Sequence, residues 1–356
     1  MNDLTVMNSR SAKARLIRGL TLCLVVGIFS GFIGEAYASV FYSTANETVY
    51  QGFRTGASIG FISTLIEFFY IRNVRRSWIR RVAFLPGLLV RILVLTLIVR
   101  VCLVGNDLLT QFFRGMPLVV DETVGQQMRD TLFSMLFVVT FVTLSQLSSV
   151  IGFKRFVNLV VGRYYRPVAE ERVFLFVDVV GSSRLARTLG NVRFHEYLSE
   201  FFYQADAAIV RTGGEVVSYV GDAVIITWPL GNDKRRNGRC LRALKLLNER
   251  MQLASQYFEN DFGVKPEFRA SIHGGPVVIG ECGDSRRQVT FLGDVVNMTA
   301  RIEEVAKEHK EQILASLDVL KRMDIPEGIQ VKEFGAVELK GADKEFVLNK
   351  VLFTTQ

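Results

Sequence analysis

One aspartate, Asp178, stands inside the apolar run "FLFVDVVGSS" at residues 174–183, and Gly-Ser-Ser follows it at once. A buried strand excludes a charge unless something pairs with it. A second, Asp222, directly follows Gly221 in "YVGDAVI", again between apolar, strand-like residues. If strand 173–179 is central and a hairpin over 213–228 lies beside it, Asp178 and Asp222 converge at one sheet edge. Two carboxylates that close repel each other unless a divalent cation neutralises them. Gly181 lets the backbone approach a ligand, and Ser182 and Ser183 open a helix whose free N–H groups favour phosphate oxygens. The set points to Mg²⁺ and a polyphosphate. Taken singly, Asp178 reads as a capping residue and Asp222 as an ordinary turn residue.

A third stretch, "LGDVVNMTAR" at 292–301, spaces Asn297 and Arg301 four residues apart on a helix, so both project from one face. An arginine beside an amide suits a phosphorane-like transition state and a ribose oxygen. The plain alternative is a surface arginine paired with Glu303 or Glu304.

The elements that must position these residues alternate in type. "VFLFVDV" (173–179) reads as a strand and 183–211 as a helix, with Phe194, Tyr197, Leu198, Phe201, Ala205 and Ala208 at helical spacing. A hairpin turns at Gly221-Asp222, a helix covers 234–258, and strands follow at 266–273 and 276–281. "RQVTFLGD" (287–294) leads into a helix through 309, and short strands close the chain near 330–339 and 345–353. This is an α/β sandwich in βαββαβ order.

The preceding part of the chain is of another kind. The 356 residues are 49% hydrophobic, and the long apolar stretches fall within 1–151. Four spans are expected at about 18–40, 54–71, 82–105 and 131–151, each near the roughly 20 residues a bilayer requires. The net charge of +8 suggests nucleic acid, but its placement excludes that partner. Arg10, Lys13, Arg15 and Arg18 precede the first span, Arg72, Arg75, Arg76, Arg80 and Arg81 lie between the second and third, and Lys154, Arg155, Arg163 and Arg166 follow the fourth. The loops at 41–53 and 106–130 are poor in basic residues, and the second carries Asp107, Asp121, Glu122 and Asp130. Basic residues mark the cytoplasmic side, so both termini and the C-terminal half face the cytoplasm of a multi-pass protein of the inner (plasma) membrane. Within the spans Glu35, Glu67, Arg91 and Arg100 are ionisable; a Glu67–Arg91 pair joining two helices is expected, the sharper reading being a small ligand- or ion-sensing pocket. The four cysteines lack CxxC spacing and the three histidines lack metal-ligand spacing, which excludes a disulfide or zinc framework. Between the halves, "GFKRFVNLVVGRYYRPVA" (152–169) sets Phe153, Phe156, Val157, Val160 and Val161 on one helical face, ended by Pro167. It reads as a coupling helix, single or paired with a second copy.

The three motifs "FVDVVGSS", "YVGDAVI" and "LGDVVNMTAR", in that order, resemble the class III nucleotidyl cyclase catalytic domain over roughly residues 170–353. The membrane half resembles, more loosely, the small multi-span anchors of bacterial members. The resemblance implies a ferredoxin-like βαββαβ core at 170–356, behind a four-span α-helical transmembrane domain at 1–151 and the coupling helix at 152–169. It also implies a homodimer with two active sites at the subunit interface. Asp178, Asp222 and the Val179 carbonyl would hold two Mg²⁺ per site, with Mn²⁺ as the alternative. Asn297 and Arg301 of the second subunit would orient the ribose and stabilise transition-state charge. Gly181, Ser182 and Ser183 would face phosphate, and Lys344 (rather than Lys340, in "VELKGADKEF") is the candidate triphosphate lysine.

The base-reading positions depart from the family. Three residues before Gly221 stands Ser218, where relatives carry Lys or Glu, and three before Gly293 stands Thr290. Two hydroxyls serve either purine, since each donates and accepts. Without a carboxylate at 218, guanine loses its strongest acceptor, which favours ATP and cyclic AMP. The alternatives are a guanylate or low-selectivity cyclase and a catalytically silent receptor with a nucleotide-binding domain. A four-span transporter is disfavoured by the coupling helix.

Overall fold

The computed structural model describes residues 2–42, 46–67, 84–115, 124–152, 157–158, 160–285, 288–342 and 344–354. Expectations resting on Arg72, Arg75, Arg76, Arg80, Arg81, Asp121, Glu122, Phe153, Lys154, Arg155 and Phe156 lie outside the described residues. The chain divides into two compact units, Met1–Phe153 and Lys154–Gln356.

The first unit contains the helices α1 (Asn2–Phe41), α2 (Asn46–Ile66), α3 (Phe84–Phe113) and α4 (Val124–Ile151). α1 and α2 touch through glycines: a Cβ on Gly34 would lie 2.2 Å from the Gly52 carbonyl oxygen, and one on Gly56 would lie 2.3 Å from that of Ser30. Without side chains between them the backbones meet, the packing that apolar helices use where burial supplies no driving force. Among the described residues, three segments are long and apolar enough to cross a membrane: Gly19–Phe41, Leu89–Phe113 and Met128–Ser145. The expected span at 54–71 does not qualify in its described part. Helix α2 forms, but Arg54, Thr55, Ser58, Ser63 and Thr64 dilute its apolar character. Glu67 and Arg91 approach to 3.7 Å, the expected interhelical pair.

In the second unit, residues 157, 158 and 160 are helical, but 161–164 form turns and Tyr164 is buried in the core. In the described residues the helical stretch therefore ends at Val160, before the expected stop at Pro167. The order is then β1 (Val168–Val179), α5 (Ser182–Leu189), α6 (Asn191–Thr212), β2 (Glu215–Val220), β3 (Ala223–Pro229), α7 (Lys234–Asn237), α8 (Arg239–Phe262), β4 (Phe268–Cys282), β5 (Gln288–Leu292), α9 (Asp294–Glu308), β6 (Ile313–Ser316), α10 (Leu317–Leu320), β7 (Ile329–Val337) and β8 (Phe346–Phe353). The sheet runs β2-β3-β1-β4-β6-β8-β7, with β5 paired to β4. Its β2-β3-β1-β4 part is antiparallel throughout, the ferredoxin-like arrangement.

Alternation along β1 builds two cores. Val173, Leu175, Val177 and Val179 face one way, into a cluster with Tyr197 and Phe201 of α6 and Leu241 and Leu244 of α8. Phe174 and Phe176 face the other way, toward Val277, Ile279, Phe291 and Val295, the last on α9. Asp178 continues this second face. The helix expected at 183–211 is two helices, because Gly190 (φ 75°, ψ 159°) breaks the run. The two strands expected at 266–273 and 276–281 are one. Gly274 does not interrupt β4; it is small because Val319 approaches, and a Cβ there would lie 2.7 Å from its methyl group.

Candidate active site

Asp178 is the last residue but one of β1, and β1 lies between β3 and β4. Its register partner on β3 is Ala223, and on β4 Arg269. Asp222 immediately precedes Ala223 in a two-residue turn that Gly221 enters at φ 62°. The register thus delivers the second carboxyl to the first, and the two are in hydrogen-bond contact. Burial, and then the charge of Asp222, push the Asp178 carboxyl up to about 7. Glu303 adds to the rise and Lys307 opposes it.

Two carboxyls this close call for a counter-charge. Among the described residues no group of three or more His, Cys, Asp or Glu side chains gathers as a metal cage. Two carboxylates at an edge, with backbone beside them, suit a hard cation that keeps water and substrate oxygens as its other ligands. The donor set therefore fits Mg²⁺ or Mn²⁺. Val179 ends β1 with its side chain buried, so its contribution to such a site is its backbone.

The turn after Asp178 delivers the first amides of α5. Gly181 is the N-cap at φ 70° and its carbonyl accepts from Arg184 and Leu185. Ser182 and Ser183 begin the helix, where amides have no upstream carbonyl to bond.

Asn297 and Arg301 lie on α9, Asn297 exposed and Arg301 half-buried. The surface pairing proposed for Arg301 is not what the structure contains: Glu303 pairs with Arg269 at 3.6 Å. One Arg301 Nη is buried without a hydrogen-bond partner among the described residues. The charges that reach Asp178 come from Glu303 and Lys307 on the same helix. Two residues of helix turn the side chain by about 200°, so Arg301 points from another face than Glu303 does. One chain thus assembles the acid pair, and Asn297 and Arg301 lie on α9, the helix whose Glu303 and Lys307 act on it.

Thr290 on β5 donates its hydroxyl to the Gly280 carbonyl at 3.2 Å and lies 3.2 Å from the Cys282 sulfur. Ser218 is half-buried on β2, next to the bulge between Val216 and Ser218. Lys344 is largely exposed and lies 4.0 Å from Asp318; the lysine acting on Asp178 is Lys307.

The adenylate and guanylate cyclase catalytic domain profile matches residues 165–350. The chain belongs to this family. Adenylate cyclase 2 of Rhizobium meliloti is 37% identical over 193 residues, 54% of this chain and 53% of the relative. The adenylate cyclase of Anabaena cylindrica is 27% identical over 187 residues, 50% of this chain and 36% of the relative. This cyclase chain thus spans about half or less of the length of the curated relatives it matches. A bacterial light-regulated adenylyl cyclase shares the fold with a TM-score of 0.52 at 20% identity, over 66% of this chain and 67% of the other.

Glu303, Lys307 and Arg269 lie near the acid pair and Gly341 lies against Arg301; of these only Glu303 was singled out in the sequence, as a surface partner for Arg301. The first three are charges whose role depends on long-range register. Gly341 was legible only as part of the "LKGAD" turn.

Proposed function

We propose that this chain is a membrane-anchored adenylate cyclase that converts ATP to 3′,5′-cyclic AMP and pyrophosphate in a homodimer. The observation that carries the reading is the contact between Asp178 and Asp222 beside the opening of α5. Asp178, Asp222 and the Val179 carbonyl would hold two Mg²⁺ per site, which when bound favour ionisation of the ribose 3′-hydroxyl and neutralise triphosphate charge. The amides of Ser182 and Ser183, with Gly181 allowing close approach, orient phosphate oxygens. The 3′-oxygen attacks the α-phosphorus in line, forming the cyclic ester as the bond to pyrophosphate breaks. Asn297 of the second subunit orients the ribose, and Arg301 donates to the oxygens whose charge grows in the transition state. The orientation of α9 supports a second copy as their source. Lys344 is retained as the candidate triphosphate lysine if dimer formation brings it near.

The Thr290 hydrogen bond supports adenine. A hydroxyl that donates to Gly280 is left as an acceptor, which suits the 6-amino group and not the guanine O6. The name of the 37% identical relative agrees with this choice. The three apolar helices, with the basic residues flanking them, support an inner-membrane location with termini and catalytic half cytoplasmic. The domain limits follow: residues 1–151 anchor, 152–169 couple, and 170–356 catalyse.

Supplying the purified full chain with ATP and GTP separately, and identifying the products, tests the reading. Cyclic AMP that disappears in Asp178→Asn supports it. Cyclic GMP alone overturns the substrate, and no product from either nucleotide leaves a silent receptor.

A further inference from the structure

The opening of α7 and α8 gathers cations that the catalytic reading does not use. Lys234, Arg235, Arg236, Arg239 and Arg242 fall within one short segment, and the first three are exposed. Among the described residues none of the five forms an ion pair. Arg239 and Arg242 donate instead to the backbone carbonyls of Arg236 and Arg235, at 2.9 and 2.6 Å, which leaves both charges uncancelled. Burial, and then the charges of Arg236 and Arg242, hold the Arg239 pKa below its ordinary value, with Asp233 opposing them. The acids nearby are committed elsewhere or do not pair. Glu171 takes Arg322 through two hydrogen bonds. Asp233 caps α7, its carboxylate accepting from the Arg235 and Arg236 amides. The Asp324 amide donates to the Lys234 carbonyl, yet among the described residues its carboxylate pairs with none of the five.

The fold sets this cluster at one end of the sheet. Pro229, which ends β3, is the register partner of Arg172, so about 20 Å of strand separates it from Asp178 at the other end. The Leu230 amide donates to the Glu171 carbonyl. Asn237 then ties α7 down through reciprocal bonds with Gly231 and a bond to the Arg322 carbonyl. Glu171 and Arg172 belong to the opening of β1, the strand that begins this sheet, and residues 152–167 alone join β1 to α4. The unpaired cations thus share the end of the sheet at which the chain arrives from its apolar helices, away from the acid pair.

Exposed cations that repel one another gain from an extended array of phosphates, which pairs with each and relieves the repulsion between them. A short connection to membrane-crossing helices keeps such an array close at hand. We propose that the opening of α7 and α8 docks on the anionic headgroups of the membrane that holds the first unit. The inference rests on the membrane location proposed above and is independent of the catalytic chemistry.

Hydrogen exchange on the full chain tests it, in nanodiscs of phosphatidylcholine alone or with about 30% phosphatidylglycerol, without nucleotide or divalent cation. In the anionic discs at about 50 mM salt, amides of residues 234–242 should exchange about fivefold more slowly or better than in neutral discs, the effect of one cation held at such a surface. Those of the 220–223 turn, at the opposite end of the sheet, should not change. Salt at about 0.5 M should abolish the difference, because screening then acts within a few ångströms. The combined Lys234→Gln, Arg235→Gln and Arg236→Gln variant should abolish it too, with unchanged exchange in β1 showing that the unit still folds. Equal exchange in the two kinds of disc, or a difference that survives in the variant, overturns the proposal and leaves the anchor standing. Equal slowing by inorganic phosphate in neutral discs assigns the patch to a soluble anion and overturns the lipid. A chain that the discs do not retain refutes the anchor and the proposal together.

Discussion

The guanidinium of Arg301 rests against Gly341, where an added Cβ would lie 2.9 Å from one Nη. That nitrogen is buried and has no hydrogen-bond partner among the described residues. A buried unpaired donor costs stability, and an incoming phosphate oxygen relieves the cost. Arg301→Ala is expected to lower turnover by roughly 10²–10³-fold while changing the Michaelis constant for ATP little, as its proposed action on transition-state charge requires. Gly341→Ala should lower the same parameter by about tenfold, as a methyl group displaces the guanidinium. Gly341 sits at φ 73°, so the alanine also adds backbone strain of about 1–2 kcal/mol. Steady-state kinetics and melting temperature, measured on both variants, separate the two effects; wild-type turnover in Gly341→Ala would show that Arg301 acts from elsewhere.

The Asp178–Asp222 pair makes the metal-free protein less stable than it need be. Two adjoining carboxylates share a partly buried edge, and among the described residues the cation acting on Asp178 is Lys307. Asp178→Asn removes one charge, keeps a hydrogen-bonding group of the same shape, and should raise the melting temperature of the catalytic unit without metal. The same change should lower turnover by roughly 10²–10³-fold, the scale for loss of a key electrostatic contact. Adding Mg²⁺ should raise the wild-type melting temperature and leave the variant nearly unmoved. Calorimetry with and without Mg²⁺ reads both; a variant stabilised by Mg²⁺ as strongly as wild type contradicts the assignment.

The acid pair was legible in the sequence because each aspartate interrupts an apolar strand and one follows a turn glycine. Local chemistry there coincides with tertiary need. Gly274 shows where that logic stops: a glycine pair inside an apolar run looks like a break, yet it admits Val319 and β4 continues. Strand β6 went unread because four residues carry no period, and its place beside β4 is set by a parallel pairing distant in sequence. The partners of Glu303 were misjudged for a related reason. Helical spacing offered Arg301, whereas the sheet register supplied Arg269. In the first unit hydropathy located the helices but overrated α2, whose glycines serve contact with α1.

Base selection should rest on Thr290. Its hydroxyl donates to Gly280, so Thr290→Val removes an acceptor from the proposed base pocket and a bond holding β5 to β4. A neutral hydrogen bond is worth roughly 0.5–1.5 kcal/mol, so kcat/KM for ATP should fall about two- to tenfold. The value for GTP should change less, narrowing the preference. Competition assays with both nucleotides measure this ratio directly. An equal loss for the two would mean that Thr290 supports the β4–β5 hairpin and does not read the base.

His273 gives the catalytic unit a stability that depends on pH. It is 8% exposed, its Nδ1 lies 2.7 Å from the Ser316 hydroxyl, and its ring meets Phe346 edge-on. Burial pushes its pKa down to about 4; Asp318 and Asp294 oppose the fall, and Lys344 adds to it. The unfolded chain takes up the proton below the ordinary histidine value of about 6.5, while the folded chain refuses it until near 4. Folding stability contributed by this residue is therefore full above about 6.5 and declines as pH falls through that window, by at most about 1.4 kcal/mol per unit. His273→Gln keeps a polar side chain for Ser316 and does not titrate. The variant should be less stable than wild type at pH 7.5, and the gap should narrow toward pH 5. Denaturant titrations of both proteins across that range provide the check, and parallel curves would show that some other group carries the acid sensitivity.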